Sequence, residues 1–198
     1  MNENNIQSAS PALVSLVKFF SSRAVGITII KAFLGSMLIA AFAQFTIPLP
    51  MVPITGQTLG VCLVGLSLGA RGATLATIFY ALEGAIGLPV FAGFSGGFGS
   101  IIGKTGGYII GFIPAAFIMG YYADRGVLKS FWKTALVALV ASASTFIFGL
   151  AQLGFITGAP IDKVLEWGLY PFIIGGIIKA MLATILISPC YKFFSKIK

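Results

Sequence analysis

The sequence has few charged residues, and this scarcity excludes several classes of protein. Only 9% of its 198 residues are charged, 58% are hydrophobic, and the mean hydropathy is +1.01. A soluble domain carries roughly a quarter charged residues, and a globule of this size cannot hide so much apolar surface from water. The composition excludes a soluble enzyme, a disordered tail and a DNA-binding domain, and it predicts a chain whose solvent is mostly lipid.

Histidine is absent and only 5 residues are acidic, so the sequence has few residues that could serve in acid–base catalysis or bind a metal ion. Cys62 and Cys190 form no C-x-x-C motif, so we expect neither a zinc site nor a structural disulfide. Gly103-Lys104-Thr105 resembles the end of a phosphate-binding loop, but Phe98 stands where that motif needs glycine. We therefore expect that the chain is not an enzyme and does not hydrolyse ATP itself.

The charges that are present are mostly positive, with 13 Lys and Arg against 5 Asp and Glu and a net charge of +8. In a soluble protein this excess would suggest nucleic acid, but membrane proteins collect Lys and Arg in cytoplasmic loops. The two terminal segments and alternate connections between the predicted spans together carry about ten of these cations, and the other connections carry only Lys104 and Lys163. The asymmetry predicts cytoplasmic N and C termini and no nucleic-acid partner.

Hydrophobic runs bounded by glycine and proline predict an all-α membrane protein with six transmembrane helices. The second and third runs are shorter than the roughly 20 residues that cross a bilayer, so we expect them to pack inside a bundle. Residues 1–25 are a predicted cytoplasmic or membrane-surface segment, 26–190 the substrate-binding domain, and 191–198 a basic cytoplasmic tail. The predicted spans are 26–47, 58–68, 73–86, 105–122, 132–155 and 166–189.

Small residues recur at four-residue spacing in the first span, at Ala32, Ser36 and Ala40. Such a stripe lets two helices approach closely in lipid. The pattern is consistent with packing inside the bundle and equally with contact to another subunit.

Two ionisable residues fall inside predicted spans, Glu83 near the outer end of the third and Lys179 near the middle of the sixth. A charge in lipid is costly, so such residues usually face a cavity or a partner. The pattern therefore predicts either a polar binding pocket or a salt bridge between the two residues.

A Gly-rich segment, residues 88–103, follows the third span and contains too many glycines to be a helix. Phe91, Phe94 and Phe98 alternate there with glycines and Ser95. Glycine allows close backbone approach and phenylalanine supplies flat apolar walls, which suits a lid over a small-molecule pocket. A re-entrant packing loop is the alternative.

Several short motifs occur in order along the chain and together resemble one family. They are Thr55-Gly56-Gln57-Thr58-Leu59, Gly65-x-x-Leu68-Gly69-x-Arg71-Gly72, Tyr80, Gly84-Ala85-x-Gly87-Leu88-Pro89-Val90-Phe91-Ala92-Gly93, Ser95-Gly96-Gly97 and Gly103-x-Thr105-Gly106-Gly107-Tyr108-x-x-Gly111-Phe112. Over residues 26–190 the chain resembles the BioY family, the biotin-binding S components of energy-coupling factor (ECF) vitamin transporters.

The resemblance implies a six-helix S-component bundle in the cell membrane that binds biotin near its outer face and uses no cofactor. It implies a T component and two cytoplasmic ATPases as partners, with Ala32, Ser36 and Ala40 at the positions that contact the T component. A homo-oligomer is also consistent with it. The expected substrate-binding residues are Glu83, Phe91, Phe94, Ser95, Gly96, Gly97, Tyr108 and Lys179.

Three positions depart from the family pattern. Lys104 replaces a proline that is frequent in the family, Ser95 stands at a position that can carry asparagine, and Gly176 stands where many members have aspartate. Biotin's ureido head needs a hydrogen-bond acceptor and a donor. We therefore hypothesise that Glu83 supplies the missing carboxylate, close to Lys179.

The sequence thus predicts a biotin-uptake subunit that is energised by ATPase partners and changes no covalent bond itself. An S component for another small vitamin remains an alternative. A self-sufficient secondary carrier, in which Glu83 relays protons, is a second.

Overall fold

The structure, a computed structural model, describes residues 23–195 and is almost entirely helical. Most of the predicted surface segment and the last three residues of the predicted basic tail lie outside these residues. Short 3₁₀ turns occupy Ala92–Phe94 and Val127–Lys129. The other elements are α1 Arg23–Ala43, β1 Thr46–Ile47, β2 Ile54–Thr55, α2 Gln57–Ala85, α3 Phe98–Ile102, α4 Gly106–Asp124, α5 Phe131–Thr157, α6 Ile161–Gly168 and α7 Tyr170–Ser195.

Helix α2 is a hairpin of two antiparallel arms. Gly69 adopts φ 69° and ψ 174°, which interrupts the helix, and such a positive φ favours glycine. The Gln57 side chain donates a hydrogen bond to the Tyr80 hydroxyl, although a straight helix would separate these residues by about 35 Å. The predicted break near residue 69 is confirmed, and the two arms correspond to the short second and third spans.

Within residues 23–195, five helical segments are long and apolar enough to cross a membrane, and the hairpin α2 counts as one of them. Their outward faces carry large apolar side chains such as Phe155 and Ile174. Since lipid is as apolar as these side chains, the exposure is compatible with a bilayer and not with water. The chain is a multi-pass membrane protein, whereas six spans and cytoplasmic termini stay predictions.

Two sequence predictions about local structure are wrong. The segment 88–103 is not free of helix, because residues Phe98–Ile102 form α3. The predicted sixth span, 166–189, begins too early, because Glu166 belongs to the separate short helix α6 and α7 begins only at Tyr170. Pro160 precedes α6, where proline's fixed φ suits a helix start.

The small-residue stripe of α1 packs against α2. Ala32 and Ser36 are 0% exposed, and a Cβ at neighbouring Gly35 would lie 3.0 Å from the Ala76 Cβ atom. In this structure Ala32 and Ser36 therefore pack inside the bundle, and the contact with a T component stays a prediction. Ala40 is half-buried and packs against the same core.

Helices α4 and α5 approach closely through glycines of the last quoted motif, residues 103–112. A Cβ at Gly107 would overlap the Phe148 carbonyl, and one at Gly111 would lie 2.7 Å from the Thr145 Cα atom. Small residues permit such contact in membrane helices. The approach places Tyr108 of α4 beside Thr145 of α5, where both line the internal cavity.

Candidate functional site

An internal cavity of about 160 Å³ lies where α2, α4, α5, α7 and the segment 88–103 meet. Most of its surface is apolar, with a few polar groups, as in sites that bind small organic molecules. The lining residues are Val52, Pro53, Thr55, Gln57, Thr58, Cys62, Phe91, Ala92, Ser95, Ser100, Thr105, Tyr108, Ile109, Phe112, Ser142, Thr145, Phe146, Phe172, Gly176 and Lys179.

Lys179 is the only Lys or Arg among the described lining residues, and no Asp or Glu lines the cavity with it. Its Nζ atom donates a hydrogen bond of 2.6 Å to the Thr55 carbonyl at the end of β2. A carbonyl is a dipole and does not neutralise an ammonium charge. The cavity therefore presents a positive charge that an anionic ligand group would compensate.

One wall of the cavity is aromatic. Tyr108 meets Phe146 at right angles, with ring centroids 6.3 Å apart, and Phe172 also lies 6.3 Å from Tyr108. The Tyr108 hydroxyl donates to the Gly168 carbonyl at 2.9 Å, which fixes the ring between helices. A Cβ at Gly149 would overlap this ring, so that glycine makes room for it. Rings held in this way form a rigid wall for an apolar ligand surface.

Phe91 also lines the cavity and rests on the second arm of α2. Its ring meets Tyr80 edge to face at 5.3 Å between centroids, and a Cβ at Gly84 would overlap it. Tyr80 is fixed in turn by Gln57, whose Oε1 atom accepts a 2.8 Å hydrogen bond from the Thr55 hydroxyl. One hydrogen-bonded chain thus connects the β2 end, the hairpin α2 and the Phe91 wall.

Backbone and side-chain bonds fix the middle and the C-terminal end of the segment 88–103. The Gly97 N–H donates to the Gly84 carbonyl at 2.7 Å. At the far end, the Gln152 amide of α5 donates to the carbonyls of Ile101 and Gly103, at 2.8 and 2.7 Å. Phe91, Ala92, Ser95 and Ser100 of this segment line the cavity, and its action as a lid stays a prediction.

The structure brings four of the predicted site residues together around the cavity: Phe91, Ser95, Tyr108 and Lys179. Gly96, Gly97 and Phe94 belong to the same segment but do not line it. Phe94 is 70% exposed. Gly97, with φ 98°, shapes the backbone.

Glu83 is a correction to the sequence analysis. Its Oε1 atom accepts a 2.9 Å hydrogen bond from Ser36 of α1, and it lies in a separate groove with Ile30, Phe33 and Leu82. Lys179 bonds to Thr55 instead, and the ion pair found among the described residues is Lys163–Glu166. The expected pairing of Glu83 with Lys179 is wrong, because Glu83 bonds to Ser36 in the groove against α1, whereas Lys179 of α7 lines the cavity.

Several lining residues were not predicted. Gln57 and Thr58 belong to a quoted motif, so a signal for them existed without an assigned role. Cys62 and Ser142, whose Sγ and Oγ atoms are 3.5 Å apart, carry no such signal, because isolated small residues in apolar runs look like packing. Gly176 also lines the cavity, and a Cβ there would meet nothing within 4 Å.

Comparisons with known proteins identify the family of this chain. The family model described as "BioY family" matches residues 14–196. The chain is 40% identical over 144 residues to the probable biotin transporter BioY of Pyrococcus horikoshii, covering 73% of this chain and 83% of that one. It is 38% identical over 159 residues to the biotin transporter BioY of Thermotoga maritima, covering 80% and 92%. A crystal structure of the S-component for biotin from an ECF-type ABC transporter matches with a TM-score of 0.78 and 25% identity, covering 86% and 94%.

Proposed function

We propose that this chain, which belongs to the BioY family, is the membrane subunit that binds biotin for uptake by an ECF transporter. The observation that carries the proposal is the cavity, which combines a single cation with aromatic walls and neutral hydrogen-bonding groups. The curated relatives with this family's name are biotin transporters, and the matching crystal structure is an S-component for biotin.

The cavity suits the chemistry of biotin. Biotin has a carboxylate, an apolar chain, a thioether ring and a ureido group that both donates and accepts. The Lys179 ammonium can compensate an anionic or strongly polar acceptor, and the rings of Tyr108, Phe146 and Phe172 can pack on the apolar part. The hydroxyls of Ser142 and Thr145 are further donors and acceptors on the α5 side.

The subunit works with partners and makes no chemical change to its ligand. In the proposed cycle biotin enters from outside, and the segment 88–103 encloses it. The loaded subunit then associates with a T component, and two cytoplasmic ATPases supply the energy for release into the cytoplasm. The cation asymmetry between alternate loops supports a place in the cell membrane with cytoplasmic termini.

Labelled biotin and the purified protein in lipid nanodiscs test the proposal directly. We expect saturable binding that unlabelled biotin displaces and that other vitamins do not. Displacement by a different vitamin, with none by biotin, would instead identify an S component of another specificity. Uptake into vesicles containing the chain alone, driven by a pH gradient, would contradict the need for ATPase partners.

A further inference from the structure

Gln44 lies directly after α1, and its side chain bonds three backbone groups. Its Nε2 atom donates to the carbonyls of Ala40, at 2.9 Å, and Phe91, at 3.2 Å. Its Oε1 atom accepts a 2.8 Å hydrogen bond from the Phe94 N–H. One side chain thus connects the end of α1 to the segment that follows α2.

Residues 91–95, which we name the cover segment, form part of the cavity wall. Phe91, Ala92 and Ser95 line the cavity, whereas Gln44 does not. Within the cover segment the Phe91 N–H donates to the Ser95 carbonyl at 3.0 Å. Gln44 therefore contacts the cover segment from outside the cavity.

The cover segment contains backbone strain at the point that Gln44 holds. Phe94 has φ 56° and is the one residue other than glycine with positive φ in the part of the chain that the structure describes. A bulky side chain disfavours this conformation. Phe94 is also 70% exposed, so packing within the chain does little to compensate. The hydrogen bond from the Phe94 N–H to Gln44 is a specific contact that compensates this strain.

We propose that Gln44 is a positioning residue that holds the cover segment closed over the cavity and so sets the rate of ligand exchange. The identity of the ligand as biotin rests on the proposed function, whereas the closure itself does not. When the bonds to Gln44 break, the strained backbone at Phe94 can relax and the segment can move away from the cavity.

This role has a distinctive kinetic signature. Because Gln44 does not line the cavity, its bonds to the cover segment are available with or without a ligand. Their loss should raise the rates of association and dissociation together, by about tenfold for the loss of one to two net hydrogen bonds, and leave the dissociation constant within about twofold. A residue that contacts the ligand would instead raise dissociation and weaken affinity.

Cys62 provides a probe of opening that needs no ligand. Its thiol lines the cavity and is 1% exposed, and Cys190 is the only other cysteine in the sequence. In a Cys190→Ser background we would measure the rate at which N-ethylmaleimide labels Cys62. We expect labelling to be about tenfold faster in Gln44→Met, which keeps the side-chain length without the amide.

Three further variants sharpen the measurement. Ser144→Ala removes a hydroxyl that bonds within its own helix, to the Ala141 carbonyl at 2.7 Å, and should leave labelling unchanged. Gln44→Glu keeps an acceptor for the Phe94 N–H but loses the donors, so an intermediate rate is expected even if Gln44→Met folds poorly. Phe94→Asn, which tolerates positive φ better, should stabilise closure and slow labelling.

The outcomes are distinct. Unchanged Cys62 labelling in both Gln44 variants would overturn the proposal, as would a loss of biotin affinity with an unchanged association rate. Faster labelling together with faster association and dissociation would support it. A wild-type protein that does not bind biotin would contradict the proposed function, while the labelling rates would still decide whether Gln44 controls closure.

Discussion

The two sides of α2 provide the sharpest contrast in this molecule. Glu83 and Gly84 are neighbours in the sequence, yet they face opposite environments. Gly84 accommodates the Phe91 ring that lines the cavity, whereas the Glu83 side chain lies in an apolar groove against α1. Adjacent helical positions lie about 100° apart around the axis, so a single step moves from the binding side to the packing side.

The same contrast separates the two ionisable residues inside the helical bundle. Lys179 faces the cavity and is bonded only to a carbonyl dipole, so its charge remains available to a ligand. The Glu83 Oε1 atom is bonded to Ser36, and its Oε2 atom is buried with no partner among the described residues. Rarity in a membrane segment therefore identifies a residue with a role, but its surroundings decide whether that role is binding or packing.

Removal of the cavity cation should have the largest effect on binding. Lys179→Met eliminates the single charged donor of the lining, and we expect biotin affinity to fall by about tenfold to a hundredfold, equivalent to roughly 1–3 kcal/mol. Isothermal titration calorimetry on the purified variant measures the loss. Lys163→Met is the matched control, because Lys163 is exposed and paired with Glu166. Equal affinities for the two variants would contradict a ligand role for Lys179.

A methyl group on the cavity side of α2 should weaken binding without a change of charge. In Gly84→Ala the new Cβ overlaps the Phe91 ring, which must move into the cavity or away from Tyr80. Overpacking of this kind costs about 1–3 kcal/mol, and we expect roughly tenfold weaker biotin binding. Gly175→Ala is the control, since a Cβ there meets nothing within 4 Å. Similar affinities for both variants would show that Phe91 does not shape the site.

On the groove side, loss of the serine hydroxyl should reduce stability and spare binding. Ser36→Ala leaves the Glu83 carboxylate without its observed donor, and a buried acceptor without a partner costs about 1–3 kcal/mol. Thermal unfolding in detergent should show a lower midpoint than the wild type, with biotin affinity unchanged. Ser144→Ala, which breaks only a bond within its own helix, should lower the midpoint less. A Ser36→Ala variant that binds biotin more weakly but unfolds at the wild-type midpoint would contradict the separation between the packing side and the binding side of α2.

The sequence predicted the elements of the fold well, because apolar runs and glycine breaks are local signals. The break at Gly69 illustrates this, whereas Phe91, Ser95, Tyr108 and Lys179, which line one cavity, were expected at the site because of the family resemblance. The partners of buried polar groups could not be predicted, because they depend on how helices rotate about their axes. Nothing local indicates that Glu83 turns toward Ser36, 47 residues earlier in the chain.

The sequence analysis missed two polar lining residues, Cys62 and Ser142, for a related reason. Ser142 and Cys62 lie in different helices and meet only because α2 and α5 pack across the cavity. In an apolar run, a serine or cysteine that lines a site is indistinguishable from one that bonds its own helix. Ser144, two positions after Ser142, bonds only its own helix.

The smallest expected effect concerns Glu83. In Glu83→Gln the amide oxygen can still accept the Ser36 hydrogen bond, and the side chain remains outside the cavity lining. We therefore expect biotin affinity to stay within about twofold of the wild type, whereas a carboxylate in the binding site would lose tenfold or more on the same change. Calorimetry beside Lys179→Met decides between these results. A loss as large as that of the lysine variant would mean that the groove and the cavity communicate, and the two sides of α2 would then be one functional unit.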